Sequence, residues 1–298
     1  MAASVHQRLL NLARERKEDF GFLLMKYGLE RMLFRISQSK HRDVFILKGA
    51  LMFELWTDQR YRPTRDADFL ASGDNSTERL SAMFKEISST VVVDDGLRFD
   101  PESAVAKRIK EDADYEGVRV SVVGYLGKAR IPIQIDVGFG DAITPAATKL
   151  EFPSMLDFPK AILLTYPKET AIAEKFEAMV KLGMANSRMK DFYDVHSLCR
   201  EFPFDGGVLS DAVRNTFDRR KTLVPAKSSV LVFTGEFFED ENKKKQWSAF
   251  CSKNRSYVSD VSLESVCLEI GEFLMPVVEA LNDKEAFDGS WSPKGPWS

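Results

Sequence analysis

Apolar positions over residues 4–40 recur close to every 3.6 residues, in two pieces. Leu9, Leu10, Leu12 and Ala13 mark the first; Phe20, Leu23, Leu24 and Tyr27, then Met32, Leu33 and Ile36 beyond Gly28, mark the second. That spacing puts each set on one helical face. The charged run 14–18 between them reads as a solvated helix end. Residues 43–47 form an apolar segment too short for a buried helix and predict a strand, and 50–56 predict a helix packed on it. Residues 66–70 again look like a strand. The turn formers of 73–77 follow, with Ser76 or Thr77 as N-cap of a helix over 78–87 whose stripe is Leu80, Met83, Phe84 and Ile87.

From 91 to 139 the period falls to two. Asp94-Asp95-Gly96 has the composition of a hairpin turn, and 104–110, 118–126 and 131–139 are strand candidates. The last alternates most cleanly: Ile131, Ile133, Ile135, Val137 and Phe139 face one way, Gln134 and Asp136 the other. After Gly140 the pattern changes. Pro145, Pro153, Pro159 and Pro167 punctuate a connector holding one short strand, 161–165. Helical patterns then cover 169–182, 190–200, 209–217, 243–252 and 263–281. The Gly-, Pro- and Ser-rich tail 282–298, with Trp291 and Trp297, is expected to be disordered. The chain thus divides at 165/166 into a first domain, 1–165, and a helical one, 166–281.

Composition narrows the classes. Of 298 residues, 44% are hydrophobic and 29% charged, the balance of an ordinary globular protein. A net charge of −3 supplies no overall basic field, so nucleic-acid binding would have to rest on a local patch. Cys199, Cys251 and Cys267 are odd in number and lack CxxC spacing, which disfavours a disulfide framework or a zinc site and suggests a reducing compartment. There is no apolar leader at the amino terminus and no run of 18 apolar residues, so the expectation is a cytoplasmic protein without membrane partners.

The candidate chemistry begins at Asp66 and Asp68. On a strand, residues i and i+2 point to one face about 6.5–7 Å apart, close enough to grip the same divalent cation. Gly49, at the preceding strand-to-helix turn, would let a phosphate approach the backbone. Mg²⁺ is usually held by one or two carboxylates plus substrate phosphates, so this pair suffices for its protein ligands. Asp136, on a neighbouring strand, could serve as base or complete a second metal site. Lys175, with Lys190 or Arg188, suits neutralisation of a triphosphate. Asp191 and Asp194 share one helical face near an N-terminus, where acids also suit the helix dipole without any catalytic role. Alone, Asp-x-Asp is a weak signal. His6, His41 and His196 do not cluster, and His196 reads as a packed core histidine. No Gly-x-Ser-x-Gly, P-loop or dinucleotide-binding fingerprint is present.

The Leu47-Lys48-Gly49 turn, Arg62 to Asp68, the Lys175 segment and Lys190 to Asp194, in that order, resemble the four motifs of the AbiEii/AbiGii toxin family. The similarity spans roughly residues 40–225 and takes in the Asp136 strand. It implies an α+β fold: a mixed-sheet nucleotidyltransferase domain flanked by helices, and a helical C-terminal part completing the active site. It also implies Mg²⁺ dependence, a nucleoside triphosphate substrate, an RNA acceptor such as the end of tRNA, and a cognate antitoxin as partner. By position, Asp66 and Asp68 would be metal ligands, Lys175 a phosphate contact, and Asp191 the second essential acid beside Asp194. Lys48, Gly49, Ala50, Arg188 and Lys190 would handle the nucleotide. Thr64, two before the first aspartate, would match a position phosphorylated in some relatives to silence the enzyme. Many members carry Gly-Gly or Gly-Ser in the first motif, where this chain has Gly49-Ala50; Ala50 keeps the backbone N–H and removes any side-chain donor.

Two other readings remain at this level. One is a nucleotidyltransferase of the same fold acting on a small molecule, as antibiotic-modifying enzymes do; an RNA substrate would instead make activity fall steeply with salt. The other is a catalytically inactive nucleotide- or partner-binding protein, whose effect would survive loss of Asp66 and Asp68.

Overall fold

A computed structural model describes residues 1–57, 61–112, 115–226, 230–258 and 260–298, with the backbone alone at 110–112 and 115–116. The chain forms two compact units, Met1–Gly140 with Thr148–Thr165, and Asp141–Ala147 with Tyr166–Ser298.

The first unit contains helices α1 (Ala2–Arg16) and α2 (Phe20–Gln38), strand β1 (Phe45–Lys48), a 3₁₀ turn Gly49–Met52 leading into α3 (Phe53–Trp56), β2 (Asp66–Ala71) and α4 (Thr77–Ser88). Strands β3 (Leu97–Asp112), β4 (Tyr115–Leu126), β5 (Ala129–Phe139), β6 (Thr148–Phe152) and β7 (Ala161–Thr165) complete it. They form one mixed sheet in the order β3-β4-β5-β2-β1-β7-β6, with β2/β5 and β1/β7 parallel and the other neighbours antiparallel. The fold is therefore the α+β mixed sheet expected, followed by a helical part. Side chains alternate across the sheet as the strand period requires. Phe45, Leu47, Phe69, Val120, Ile133, Ile135 and Val137 are buried in the core with Leu23, Met32, Phe84 and Ile87 of the helices. Gly28 lets α2 lie tightly on β5: a Cβ there would stand 2.8 Å from the side chains of both Ile131 and Ile133. Asp19 caps α2 by accepting from the Phe22 N–H at 2.8 Å, and Ser76, of the two candidates, is the N-cap residue of α4.

Three expectations for this unit need correction. Asp94-Asp95-Gly96 turns the chain, but 90–96 is not a strand and no hairpin forms there. Asp95 instead points inward and accepts from Arg31 Nε at 2.8 Å and Arg35 Nη1 at 2.8 Å, so a buried ion pair and not ladder pairing sets this turn. Burial pushes the Asp95 carboxyl up, but the two guanidiniums outweigh it and hold it below the ordinary carboxylate range. β3 begins at Leu97, seven residues before the predicted start. Its register breaks between Asp100 and Val105, where Pro101 lacks a ladder donor and the edge position tolerates an irregularity. β6 was hidden among the prolines of the connector.

The second unit contains α5 (Lys168–Leu182), α6 (Met189–Glu201), β8 (Phe204–Asp205), α7 (Gly206–Arg220), α8 (Gly235–Phe238), α9 (Glu241–Lys253), α10 (Leu263–Asp283) and β9 (Ser290–Trp291). Its core gathers Phe176, Phe192, Leu198, Val213, Phe217, Ile270, Phe273 and Val277. Arg219, Arg220 and Lys221 are three consecutive basic residues at the end of α7. Arg220 is drawn inward to Glu177 at 3.0 Å, Asp141 at 3.1 Å and Glu174 at 3.4 Å. His196 is 4% exposed and lies 3.1 Å from Glu269, a packed histidine as read. The cysteines are unpaired, and burial pushes the Cys199 thiol up to about 12. No helix among the described residues is long and apolar enough to cross a membrane.

The tail, expected to be disordered, is packed. β9 pairs antiparallel with β8, Trp291 is 4% exposed, and its indole N–H donates to the Cys199 carbonyl at 2.6 Å. Trp297 stacks on Phe273 at 5.6 Å and donates to that residue's carbonyl at 2.9 Å. Two large aromatic surfaces with satisfied N–H groups outweigh the tail's Gly and Pro content. Trp291→Ala is accordingly expected to lower unfolding free energy by about 3–5 kcal/mol. Urea denaturation checks this, and a loss under about 1 kcal/mol would mean that the tail contributes no packing.

Candidate active site

In the first unit, β2 carries Asp66, Ala67 and Asp68 in alternation: Ala67 is buried in the core, and both aspartates lie on the opposite, open face. Strand register brings further charges into the same transverse row. Asp68 stands opposite Lys48 of β1 on one side and Asp136 of β5 on the other. Asp136 in turn stands opposite Arg119 of β4, and Arg119 opposite Lys107 of β3. Side chains directly opposite on neighbouring strands are ordinarily in reach of one another.

Gly49 follows β1 with φ of 76°, a left-handed conformation that disfavours a side chain. A Cβ at Gly49 would fall 2.1 Å from Asp68 Oδ2, so the Asp68 carboxylate lies directly against this turn. Thr64 Oγ1 donates to Asp66 Oδ1 at 2.6 Å, fixing that carboxylate from the preceding loop. Ala50 belongs to the same 3₁₀ turn, and Lys48 is 9% exposed.

Asp136 is brought beside Asp68 but is not a solvated strand acid. Arg119 grips it with two hydrogen bonds, Nε to Oδ1 and Nη2 to Oδ2, each 2.8 Å. Those hydrogen bonds first, together with the charges of Asp136, Asp66 and Asp68, raise the Arg119 pKa above its ordinary value. One guanidinium thereby offsets the repulsion among three carboxylates. Arg119 was not singled out from the sequence; only the strand register reveals it.

The oxygen donors suit a hard divalent cation. Asp66 and Asp68 fit such an ion. Asp136 accepts one hydrogen bond from Arg119 at each oxygen, and each oxygen keeps a further lone pair. Among the described residues, no group of three His, Cys, Asp or Glu side chains is arranged to hold a metal.

The second unit contains its own charged cluster. Lys175 of α5 donates to Asp191 Oδ1 at 2.7 Å and to Asp194 Oδ2 at 2.8 Å, both on α6. Arg188, at the α6 N-cap, brings its Nε to 2.7 Å from Asp191 Oδ2. Asp191 is 2% and Asp194 0% exposed, so helix-dipole complementarity on a solvated surface does not account for them. Burial pushes the Asp191 carboxyl up, but Lys175 and Arg188 outweigh it and hold it below the usual range. Lys190 is exposed and has no ion pair among the described residues; the helix turns it away from the cluster.

The Asp66, Asp68 and Asp136 carboxylates thus share one sheet face, with the Gly49 turn against Asp68. The chain belongs to the AbiEii family, described as "Nucleotidyl transferase AbiEii toxin, Type IV TA system", which matches residues 31–280. It is thus a nucleotidyltransferase of the toxin–antitoxin type, a class that works with an antitoxin partner. Among solved structures, the chain is similar to one described as "putative nucleotidyltransferase from H. pylori", with 15% identity over 87% of this chain and 96% of that one and a TM-score of 0.47. It is also similar to JHP933 from Helicobacter pylori, with 13% identity over 86% and 92% and a TM-score of 0.46. No curated protein matches the chain.

Proposed function

We propose that this protein is a Mg²⁺-dependent toxin that transfers a nucleoside monophosphate from a nucleoside triphosphate to RNA, at the acceptor end of tRNA, and so blocks translation in the cytoplasm. The observation that carries the reading is the seating of the Asp68 carboxylate against the Gly49 turn, with Asp66 on the same strand face. Asp66 and Asp68 would hold Mg²⁺, which when bound neutralises phosphate charge and orients the reacting groups. Gly49 leaves room for phosphate oxygens, Ala50 offers its backbone N–H, and Lys48 adds positive charge from the adjacent strand. The Asp136–Arg119 pair keeps the row of acids electrostatically tolerable and positions it. In the second unit, Lys175 serves as the phosphate contact, and Asp191, with Asp194 and Arg188, supplies the second essential acid group; Lys190 contributes a cation from the surface.

Thr64 is the regulatory position of the proposal. Its hydroxyl now donates to Asp66. Phosphorylation would remove that donor and put about −1.5 to −2 charges beside the metal acids, an arrangement that opposes binding of another triphosphate.

The test is incubation with each α-labelled nucleoside triphosphate, Mg²⁺ and total tRNA, with parallel arms containing aminoglycoside acceptors. The expected result is label in RNA with at least one nucleotide, abolished by EDTA. Label in none of the four tRNA reactions with folded protein would overturn the RNA reading, and label on an aminoglycoside alone would establish the small-molecule alternative.

A further inference from the structure

The open face of the first unit's sheet carries more positive charge than the aspartate row consumes. Arg98 and Lys107 on β3 and Arg130 on β5 are exposed and have no ion-pair partner among the described residues. Lys107 lies opposite Arg119, in the row that continues to Asp136 and Asp68. With neighbouring strands about 4.8 Å apart, it stands roughly 14 Å from Asp68 across the sheet. At the other end of β4, Tyr125 has Arg98 opposite on one side and Arg130 opposite on the other. The Arg98 guanidinium carbon is 4.9 Å from the Tyr125 ring centroid. Tyr125 and Arg119 are six residues apart on the same face, about 20 Å along the strand. The register positions between them hold Ser121, Val123, Pro132, Gln134 and Val105, which are uncharged. The acids on this stretch of β3 are Asp100, opposite Val123, which accepts from the Glu102 backbone N–H at 3.1 Å, and Glu102, which pairs with Lys85 at 2.7 Å.

Cations spaced along one sheet face, with an aromatic ring among them, supply the elements of sequence-tolerant binding of a single polynucleotide strand: the cations track phosphates and the ring stacks a base. In a chain of net charge −3, this concentration of unpaired cations on one face is a local feature. A membrane surface would be served by charge alone and gives no role to a tyrosine set between two arginines in the strand register. We propose that the β3–β4–β5 face is the track for the single-stranded end of the acceptor RNA. Lys107, next to the aspartate row, and Arg98 and Arg130, farther along, hold phosphates, and Tyr125, between those two arginines, stacks a base. This assignment rests on the RNA-transfer reading for its direction, but its test does not require transfer.

The experiment is fluorescence anisotropy with a 5′-labelled single-stranded 12-nucleotide RNA, in EDTA and without nucleotide, across a salt series. Wild type is compared with the triple variant Arg98→Ala/Lys107→Ala/Arg130→Ala, with the single variant Arg130→Glu, with Tyr125→Leu, and with Lys245→Ala as a control on exposed α9. Thermal melts confirm that each is folded, and Arg130→Glu carries the test should the triple variant not fold. Removing three phosphate contacts is expected to reduce the slope of log K against log salt by about 2. Tyr125→Leu is expected to weaken binding roughly tenfold with the slope unchanged, and Lys245→Ala to change neither. An unchanged slope in the triple variant, no RNA binding by wild type at low salt, or a loss seen with phosphatidylglycerol vesicles but not with RNA would each overturn the assignment. Failure of the two readings is distinguishable. Normal transfer by the triple variant with unaltered RNA dependence removes the track and leaves the enzyme; RNA binding lost in the triple variant without transfer by wild type keeps the track and removes the enzyme reading.

Discussion

Asp68→Asn is expected to lower nucleotidyl transfer by about a thousandfold or more while leaving the protein folded. The substitution keeps the side chain's size and removes the charge that a cation would require; losing a metal-centred stabilisation of several kcal/mol corresponds to about three decades in rate. The fold should tolerate the change, because Asp68 is only half-buried and sits beside another acid, Asp136, whose repulsion the substitution relieves. Gly49→Ala makes a sharper companion. Its Cβ would need the space that Asp68 Oδ2 occupies at 2.1 Å, and alanine at a φ of 76° costs roughly 1–2 kcal/mol. The carboxylate must swing away, so activity should fall almost as far as in Asp68→Asn, with a modest loss of stability. Transfer rates with labelled nucleotide, read beside thermal melts, separate the two effects. Near-normal transfer by folded Asp68→Asn would remove Asp68 from the chemistry.

Lys175→Met is expected to cost about 3–5 kcal/mol of stability. Lys175 is the shared partner of Asp191 and Asp194, 2% and 0% exposed, and its removal leaves two buried carboxylates with too little compensating charge. The pH dependence should change sign. In the wild type, the Asp191 carboxyl is held below its ordinary value, so its contribution is present above the unfolded-state pKa near 3.9 and is lost as pH falls through the lower folded value. Without the ammonium, burial dominates and raises the folded pKa. The penalty is then small at acid pH and grows as pH rises through the unfolded value. Urea unfolding at pH 5 and pH 7.5 should therefore show the variant weaker at the higher pH, where the wild type shows no such loss. Adding Asp194→Leu should recover part of the deficit. A cost under about 1 kcal/mol in the single variant would mean that the cluster contains an unrecognised compensating cation.

Much of this architecture is readable from local pattern. The stripes of α2, α4, α5, α6 and α10 and the alternation of β5 report burial on one side of an element, and burial follows the 3.6 and 2.0 periods wherever the element sits. Asp66-Ala67-Asp68 and Gly49 were visible as candidate chemistry for the same reason: their relation is short-range. Asp136 was visible as an acid on a half-buried strand, although nothing local disclosed that Arg119 holds it.

What pattern alone missed depends on partners distant in the chain. Asp94-Asp95-Gly96 has hairpin composition, yet a buried ion pair to Arg31 and Arg35, some sixty residues earlier, decides its course. The tail has disordered composition, yet Phe273 and the Cys199 carbonyl provide a surface for its tryptophans. Asp191 and Asp194 look like ordinary helix-start acids until Lys175 is seen between them; neighbouring Lys190, equally basic in sequence, faces outward. The sequence by itself thus determined the helices and strands, the buried faces and the Asp66/Asp68 pair, because these follow from backbone periodicity. Only the tertiary structure decided the row Lys107–Arg119–Asp136–Asp68–Lys48 and the burial of Asp191 with Lys175, because strand register and the desolvation of a charge are set by the groups packed against it from elsewhere in the chain.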